Sequence, residues 1–363
     1  MGDEHVTMHQ PKKIDIPPTK SQNNPVMKPI YSYALLAAFA AVGAASAQTT
    51  ATTTPVGYIS LGAPTGDAIP AGTDNIISIP LNKPSAYSGA VSGSTGTTIS
   101  FAGTPFTASA FTATPHVVEI TSGTKKGVTG LVTANTSSVL TVASVDGTDF
   151  SGLTVETVTI RPAWTVQGLF ATAVVPAGTQ LLGYTGTAEG INVPTDVILE
   201  WDGTNWIDLA VTGDVADNTV LHPGESFIVH NVTATAIPSL VVNGEVFKNK
   251  FRVRLENLNT SVDQDIPVSY ASSVPESVAN SGITPLAQVG DQINITDSSL
   301  TGVNKSASVI LEFDGSDWID LAVTGEPAQA TTYIGGGFGL TYRRKATATI
   351  SNWDQNPTYI PTL

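Results

Sequence analysis

The chain has 363 residues, 30 of them acidic and 16 basic, for a net charge of −14. That balance argues against nucleic acid as a partner, because such binding rests on Lys and Arg neutralising phosphates. There is no cysteine, which excludes disulfide staples and thiol chemistry. Stability must come from packing in a chain rich in Thr, Ser, Ala, Gly and Val, the composition of a β-rich exported protein.

Residues 1–26 are polar, with Pro and Lys, and read as a disordered upstream segment. Met27-Lys28 opens a positive stretch, Tyr33 to Val42 is apolar, and Ala45-Ser46-Ala47 precedes Gln48. This is the pattern of a secretory signal peptide over 27–47, with Met27 as an alternative start. The apolar run is too short to favour a membrane span. The expected location is therefore the periplasm, the outer surface or the extracellular space.

Val56-Gly-Tyr58-Ile-Ser and Asn75-Ile-Ile-Ser-Ile read as strands. From 87 to 163 the texture changes to short strands separated by Gly, Thr and Ser, as in a small barrel. Then comes the most informative stretch, Val197 to Gly213, VILEWDGTNWIDLAVTG. It returns as VILEFDGSDWIDLAVTG from Val309 to Gly325. Only Trp201/Phe313, Thr204/Ser316 and Asn205/Asp317 differ. Each copy predicts two strands joined by Asp-Gly turn chemistry. Alternation places Trp206, Asp208 and Ala210 on one face and Ile207, Leu209 and Val211 on the other, with the aliphatic face expected in the core.

The same offset relates Gly178-Thr-Gln180 to Gly290-Asp-Gln292 and Gly190-Ile-Asn192 to Gly302-Val-Asn304. With a gap of one residue, His222 to Val229 aligns with Gly335 to Leu340. The expected fold is all-β: two related β-rich repeat domains, sandwich or barrel-like, with a small β-barrel inserted in or preceding the first. The expected bounds are 48–86 with 164–246 for the first repeat, 87–163 for the barrel and 247–363 for the second.

The chain resembles an uncharacterised family of exported, β-rich bacterial paralogues. The resemblance rests on the signal peptide, Pro55-Val-Gly-Tyr58, Ile120-Thr-Ser-Gly-Thr, Arg161-Pro-Ala-Trp164, Gly302-Val-Asn304-Lys-Ser-Ala-Ser308 and the ending through Trp353-Asp-Gln-Asn-Pro357-Thr-Tyr359. It implies export, β structure and surface display, and carries no assigned activity.

Candidate sites are few. Trp201, Trp206 and Trp318 could offer flat apolar rings to a polysaccharide. Arg343, Arg344 and Lys345 form the one dense basic cluster and could dock an acidic neighbour, including another copy. His222 and His230, with Glu225 or Asp217, have the residue types of a metal set but no counterpart in the second repeat. Asp202/Asp208 and Asp314/Asp317/Asp320 could hold Ca²⁺ weakly, though their spacing is not that of an EF-hand. No Gly-x-Ser-x-Gly elbow is present. No catalytic residue, cofactor or metal ligand set is assigned. The expected function is a non-enzymatic cell-envelope or extracellular protein with a structural or adhesive role, associating with itself or other envelope proteins. The alternatives are a carbohydrate- or polymer-binding module using the hairpin tryptophans and, more distantly, an exported hydrolase.

Overall fold

Short β-branched and aromatic runs, broken by Gly, Asp and Pro, become an almost entirely antiparallel strand architecture. The computed structural model describes residues 54–62, 69–186, 189–211, 213–323 and 325–362. The expected upstream segment and signal peptide, 1–47, lie outside the described residues. The described chain begins with β1 (Val56–Ser60) and β2 (Thr73–Ser78). It then runs through β3 (Tyr87–Ala90), β4 (Gly93–Ser94), β5 (Thr98–Ser100), β6 (His116–Ile120), β7 (Thr129–Asn135), β8 (Val139–Ser144) and β9 (Thr157–Pro162). Next come β10 (Trp164–Thr165), a short helix α1 (Val166–Phe170), β11 (Gln180–Gly183), β12 (Val197–Trp201), β13 (Trp206–Asp208), β14 (Val220–Leu221), β15 (Ser226–Asn231) and β16 (Val241–Glu245). The last third holds β17 (Phe251–Asn257), β18 (Gln264–Ser269), β19 (Glu276–Ser277), β20 (Gln292–Ile295), β21 (Val309–Phe313), β22 (Trp318–Asp320), β23 (Tyr333–Ile334), β24 (Gly339–Arg344) and β25 (Thr349–Gln355).

Three buried apolar clusters organise these strands. One joins Leu61, Ile69, Ile77, Ile79 and Leu81 to residues between Trp164 and Val242. The second lies within Val91 to Ile160, and the third within Phe247 to Trp353. In the second, strands run in the order β3-β9-β6-β7-β8-β5-β4. Only Val91 and Ser92 separate β3 from β4. Val91 N–H donates to Glu156 O and Ser92 N–H to Ser100 O, so this one stretch of chain closes the sheet into a ring. Closure removes edge strands that would otherwise template aggregation. Its interior carries an edge-to-face chain of Tyr87, Phe101, Phe106 and Phe111.

The first and third clusters are covered by five-stranded sheets of matching design. Their orders are β13-β12-β11-β15-β2 and β22-β21-β20-β24-β18. Registers match as well: Leu199 faces Asp208 and Trp201 faces Trp206, while Leu311 faces Asp320 and Phe313 faces Trp318. Each cluster also has a two-stranded ribbon in which its first strand pairs with its last, β1 with β16 and β17 with β25.

The hairpin faces differ from the sequence expectation. Trp206 and Trp318 are fully buried, whereas Leu209 is 48% and Val211 is 73% exposed. The strand stops after Asp208, whose Oδ1 accepts the Ala210 N–H at 2.8 Å and whose carbonyl accepts the Gly213 N–H at 2.9 Å. Leu209 and Val211 therefore sit in a turn. The indole buries more apolar surface than either aliphatic chain, so it takes the inward position. It packs on Phe170 at 4.8 Å and on Trp201 at 5.7 Å between ring centroids.

Candidate functional site

The two five-stranded sheets meet through the strands at one end of each, β2 and β18, and the contact is reciprocal. On β2, Asp74 donates its N–H to Gly302 O at 2.9 Å and accepts the Asn304 N–H on Oδ2 at 2.7 Å. On β18, Asp265 donates its N–H to Gly190 O at 2.9 Å and accepts the Asn192 N–H on Oδ2 at 2.8 Å. The two loops share a backbone shape: φ is 121° at Gly190 and 122° at Gly302, and 52° at Asn192 and 50° at Asn304. Gly and Asn tolerate this left-handed region best, which accounts for the recurrence of Gly-x-Asn. Farther along the same strands, Ser78 N–H donates to Gly337 O and Ser269 N–H to Gly224 O. Ile77 bridges Phe338, as Val268 bridges Glu225. The arrangement is that of a two-fold, isologous contact made within one chain.

The symmetry is broken by the ring of β3 to β9. It lies against β17, where Arg252 N–H donates to Gly127 O at 3.1 Å and Arg254 Nη1 to Asp146 O at 3.2 Å. Where ring, first sheet and second sheet converge, a cavity of about 410 Å³ opens. Its apolar wall includes Phe227, Val253 and Val268, and its polar wall includes Asp146, Glu225 and Arg254. This size falls within the range of small-molecule sites.

Charge in the cavity is mostly committed. Arg252 pairs with Asp354, Nε to Oδ1 at 2.7 Å, and this bond raises its pKa. Arg254 forms an ion pair with Glu256. Asp146 Oδ1 accepts from Ser144 Oγ and from Thr148 N–H. Asp265 is held by Arg343, and Glu189 accepts from Asn259. Glu225 differs. Burial pushes its carboxyl up to about 7, opposed only by the backbone N–H of His222. Beside it, burial pulls His222 down to about 4. Tyr184 is also raised, first by burial and then by Asp265 and Asp196.

The residues singled out from sequence are dispersed. The rings of Trp206 and Trp318 are buried, and Trp201 is half-buried against the first core; Trp206 and Trp318 offer no open face to a sugar. The basic cluster is turned inward. Arg343 grips Asp265 with Nε and Nη2 at 2.7 and 3.0 Å. Arg344 is buried and donates to Thr349 Oγ1 and Ser351 Oγ. Lys345 Nζ lies 2.7 Å from Asp263. Arg343 and Lys345 are thus held in ion pairs within the chain, and Arg344 by hydroxyl groups. Alternating strand residues went to opposite sides, and each charge found a neighbour.

His230 Nδ1 lies 2.5 Å from Asp74 Oδ1, and Asp217 Oδ1 accepts the Trp206 N–H; neither joins His222 or Glu225. The hairpin acids act on their own turns: Asp202 Oδ1 accepts from Thr204 and Asn205 N–H, and Asp314 Oδ1 from Ser316 and Asp317 N–H. Among the described residues no group of three or more His, Asp or Glu is placed to hold a metal ion. Sequence reasoning did not single out Asp74, Asp265, Asp146 or Arg254. The matching Gly-x-Asn loops were the available signal for the first two, since they demand a partner for an otherwise unpaired N–H.

No protein-family model matches the chain, and no curated protein and no solved structure matches it either.

Proposed function

We propose that this chain is an exported, non-enzymatic protein of the cell envelope or extracellular space, with a structural or adhesive role exercised by self-association through a strand edge. The observation that carries this reading is an inequality between two equivalent strands. Strand β17 receives the ring of β3 to β9 along its outer side. Its counterpart β1 pairs with β16 on one side, and on the other side it makes no backbone hydrogen bond among the described residues. Val56 is 74% and Tyr58 is 80% exposed. A five-residue apolar strand with a free edge is a template for another strand.

The partner proposed for that edge is β1 of a second copy, antiparallel and centred on Tyr58, so that one patch serves both subunits. Val56 to Ser60 carries no charge in a chain of net charge −14. The strand itself therefore adds no charge repulsion between copies. The export assignment rests on the sequence pattern over 27–47. Burial of Trp206 and Trp318 removes two of the three rings on which the polysaccharide alternative relied.

Sedimentation velocity on the chain from Gln48 onward tests the reading. Concentration-dependent dimers are expected, converting to monomers in Tyr58→Lys with the unfolding midpoint unchanged. A particle that stays monomeric at high micromolar concentration overturns it.

A further inference from the structure

We propose that the cavity between the ring and the two repeat sheets binds a compact organic cation bearing a primary ammonium group, with Glu225 as the residue that meets its charge. The same chemistry is found in a free aliphatic diamine and in a lysine side chain. This proposal stands independently of self-association.

The first ground is that the fold does not need an acid at position 225. The bridge between Glu225 and Val268 has a twin between Phe338 and Ile77. The adjoining bonds are twinned too, Ser269 N–H to Gly224 O and Ser78 N–H to Gly337 O. One half of a repeated junction is thus built with phenylalanine and the other with a carboxyl lining a cavity. An ionised carboxylate is costly at a half-buried site unless something compensates it.

The second ground is the state of the surrounding charges. Arg252 faces Asp354, Arg254 faces Glu256, Asp265 faces Arg343 and Glu189 accepts from Asn259, while Asp146 has donors on Oδ1 and none on its buried Oδ2. Tyr184 carries a phenol at the same wall. The capacity left for a guest is that of an acceptor. The donor a carboxylate binds most strongly is a charged one. The third ground is the wall of Phe227, Val253 and Val268, which suits methylene groups attached to such a head.

Titration calorimetry on the chain from Gln48 onward tests this with two probes, cadaverine and Nα-acetyl-lysine N-methylamide, and with 1,5-pentanediol as the neutral control. Saturable binding of at least one amine, and none of the diol, is expected. Because burial sets the Glu225 carboxyl at about 7, affinity should weaken at least about tenfold between pH 8.5 and pH 5.5. Glu225→Gln and Glu225→Phe should both abolish binding. Glu225→Phe installs the residue its twin already carries, so an unfolding midpoint no lower than the parent's separates lost binding from lost fold. Binding of cadaverine alone identifies a free diamine; binding of the lysine amide alone identifies a side chain from a partner; binding of both identifies recognition of the ammonium head. Absence of saturable heat with either amine overturns the proposal, as does equal binding of diol or equal binding by folded Glu225→Gln.

Discussion

Asp74 Oδ2 holds the backbone N–H of Asn304 at 2.7 Å, and this bond ties the first repeat sheet to a loop of the second. Its mirror, Asp265 to Asn192, ties the second to the first. Both aspartates are buried, so truncation leaves the loop N–H groups without acceptors. Asp74→Ala should cost about 1.5–3 kcal/mol of unfolding free energy, the usual worth of a hydrogen bond to a charged group. Asp265→Ala should cost more, because it strands the two bonds of the charged Arg343, where Asp74→Ala releases only the single contact to His230. Urea denaturation of the two variants checks the order; equal or negligible losses would remove the clasp as a source of stability.

His230 and Arg343 occupy twin positions. His230 faces Gln180 and Asp74 across its two neighbouring strands, and Arg343 faces Gln292 and Asp265. The geometry for a guanidinium therefore exists in this fold. His230→Arg should fold normally and gain about 0.5–1 kcal/mol, from a planar fork that meets a carboxylate with two bonds. A loss in thermal unfolding would show that the two halves of the junction are less alike than their registers.

Much of the architecture could be read from the repeated hairpin, because strand, Asp-Gly turn and strand are local chemistry. The matching sheet orders follow the constant offset between Gln180, Trp206 and their counterparts. The buried face was not legible, because alternation assumes that a strand continues. Here it ends at Asp208, and the next three residues turn under the Asp208 carboxyl. The cavity was not legible either. Asp146, Glu225 and Arg254 come from three separately packed parts of the chain, and Glu225 stands where the repeat has Phe338. An acid at one of two equivalent places carries no periodic signal.

That inverted face gives a sharp contrast. Trp206→Ala removes a fully buried ring from the first core and should cost about 3–5 kcal/mol. Leu209→Ser and Val211→Ser alter exposed turn positions and should stay within about 0.5 kcal/mol of the parent. Equilibrium denaturation measures all three. If Leu209→Ser proved the costlier change, the hairpin would have to sit the other way round.

Glu225 and His222 make opposing contributions to stability as pH changes. The folded Glu225 carboxyl lies at about 7, above its ordinary 4.5. Between those values the folded chain holds the extra proton, so this contribution is full at low pH and is lost as pH rises through 7. Folded His222 lies at about 4, below its ordinary 6.5. There the unfolded chain holds the extra proton, so stability is lost as pH falls from 6.5 towards 4. From 4.5 to 6.5 the two slopes oppose each other. Glu225→Gln should therefore gain stability over the parent as pH rises from 4.5, with the gain levelling off above 7. His222→Gln should gain over the parent as pH falls from 6.5, levelling off near 4. Taking each variant as a difference from the parent, in denaturation series across pH 4 to 8.5, cancels the other carboxylates. A pH-independent difference for either variant would show that the group is not desolvated in the folded chain.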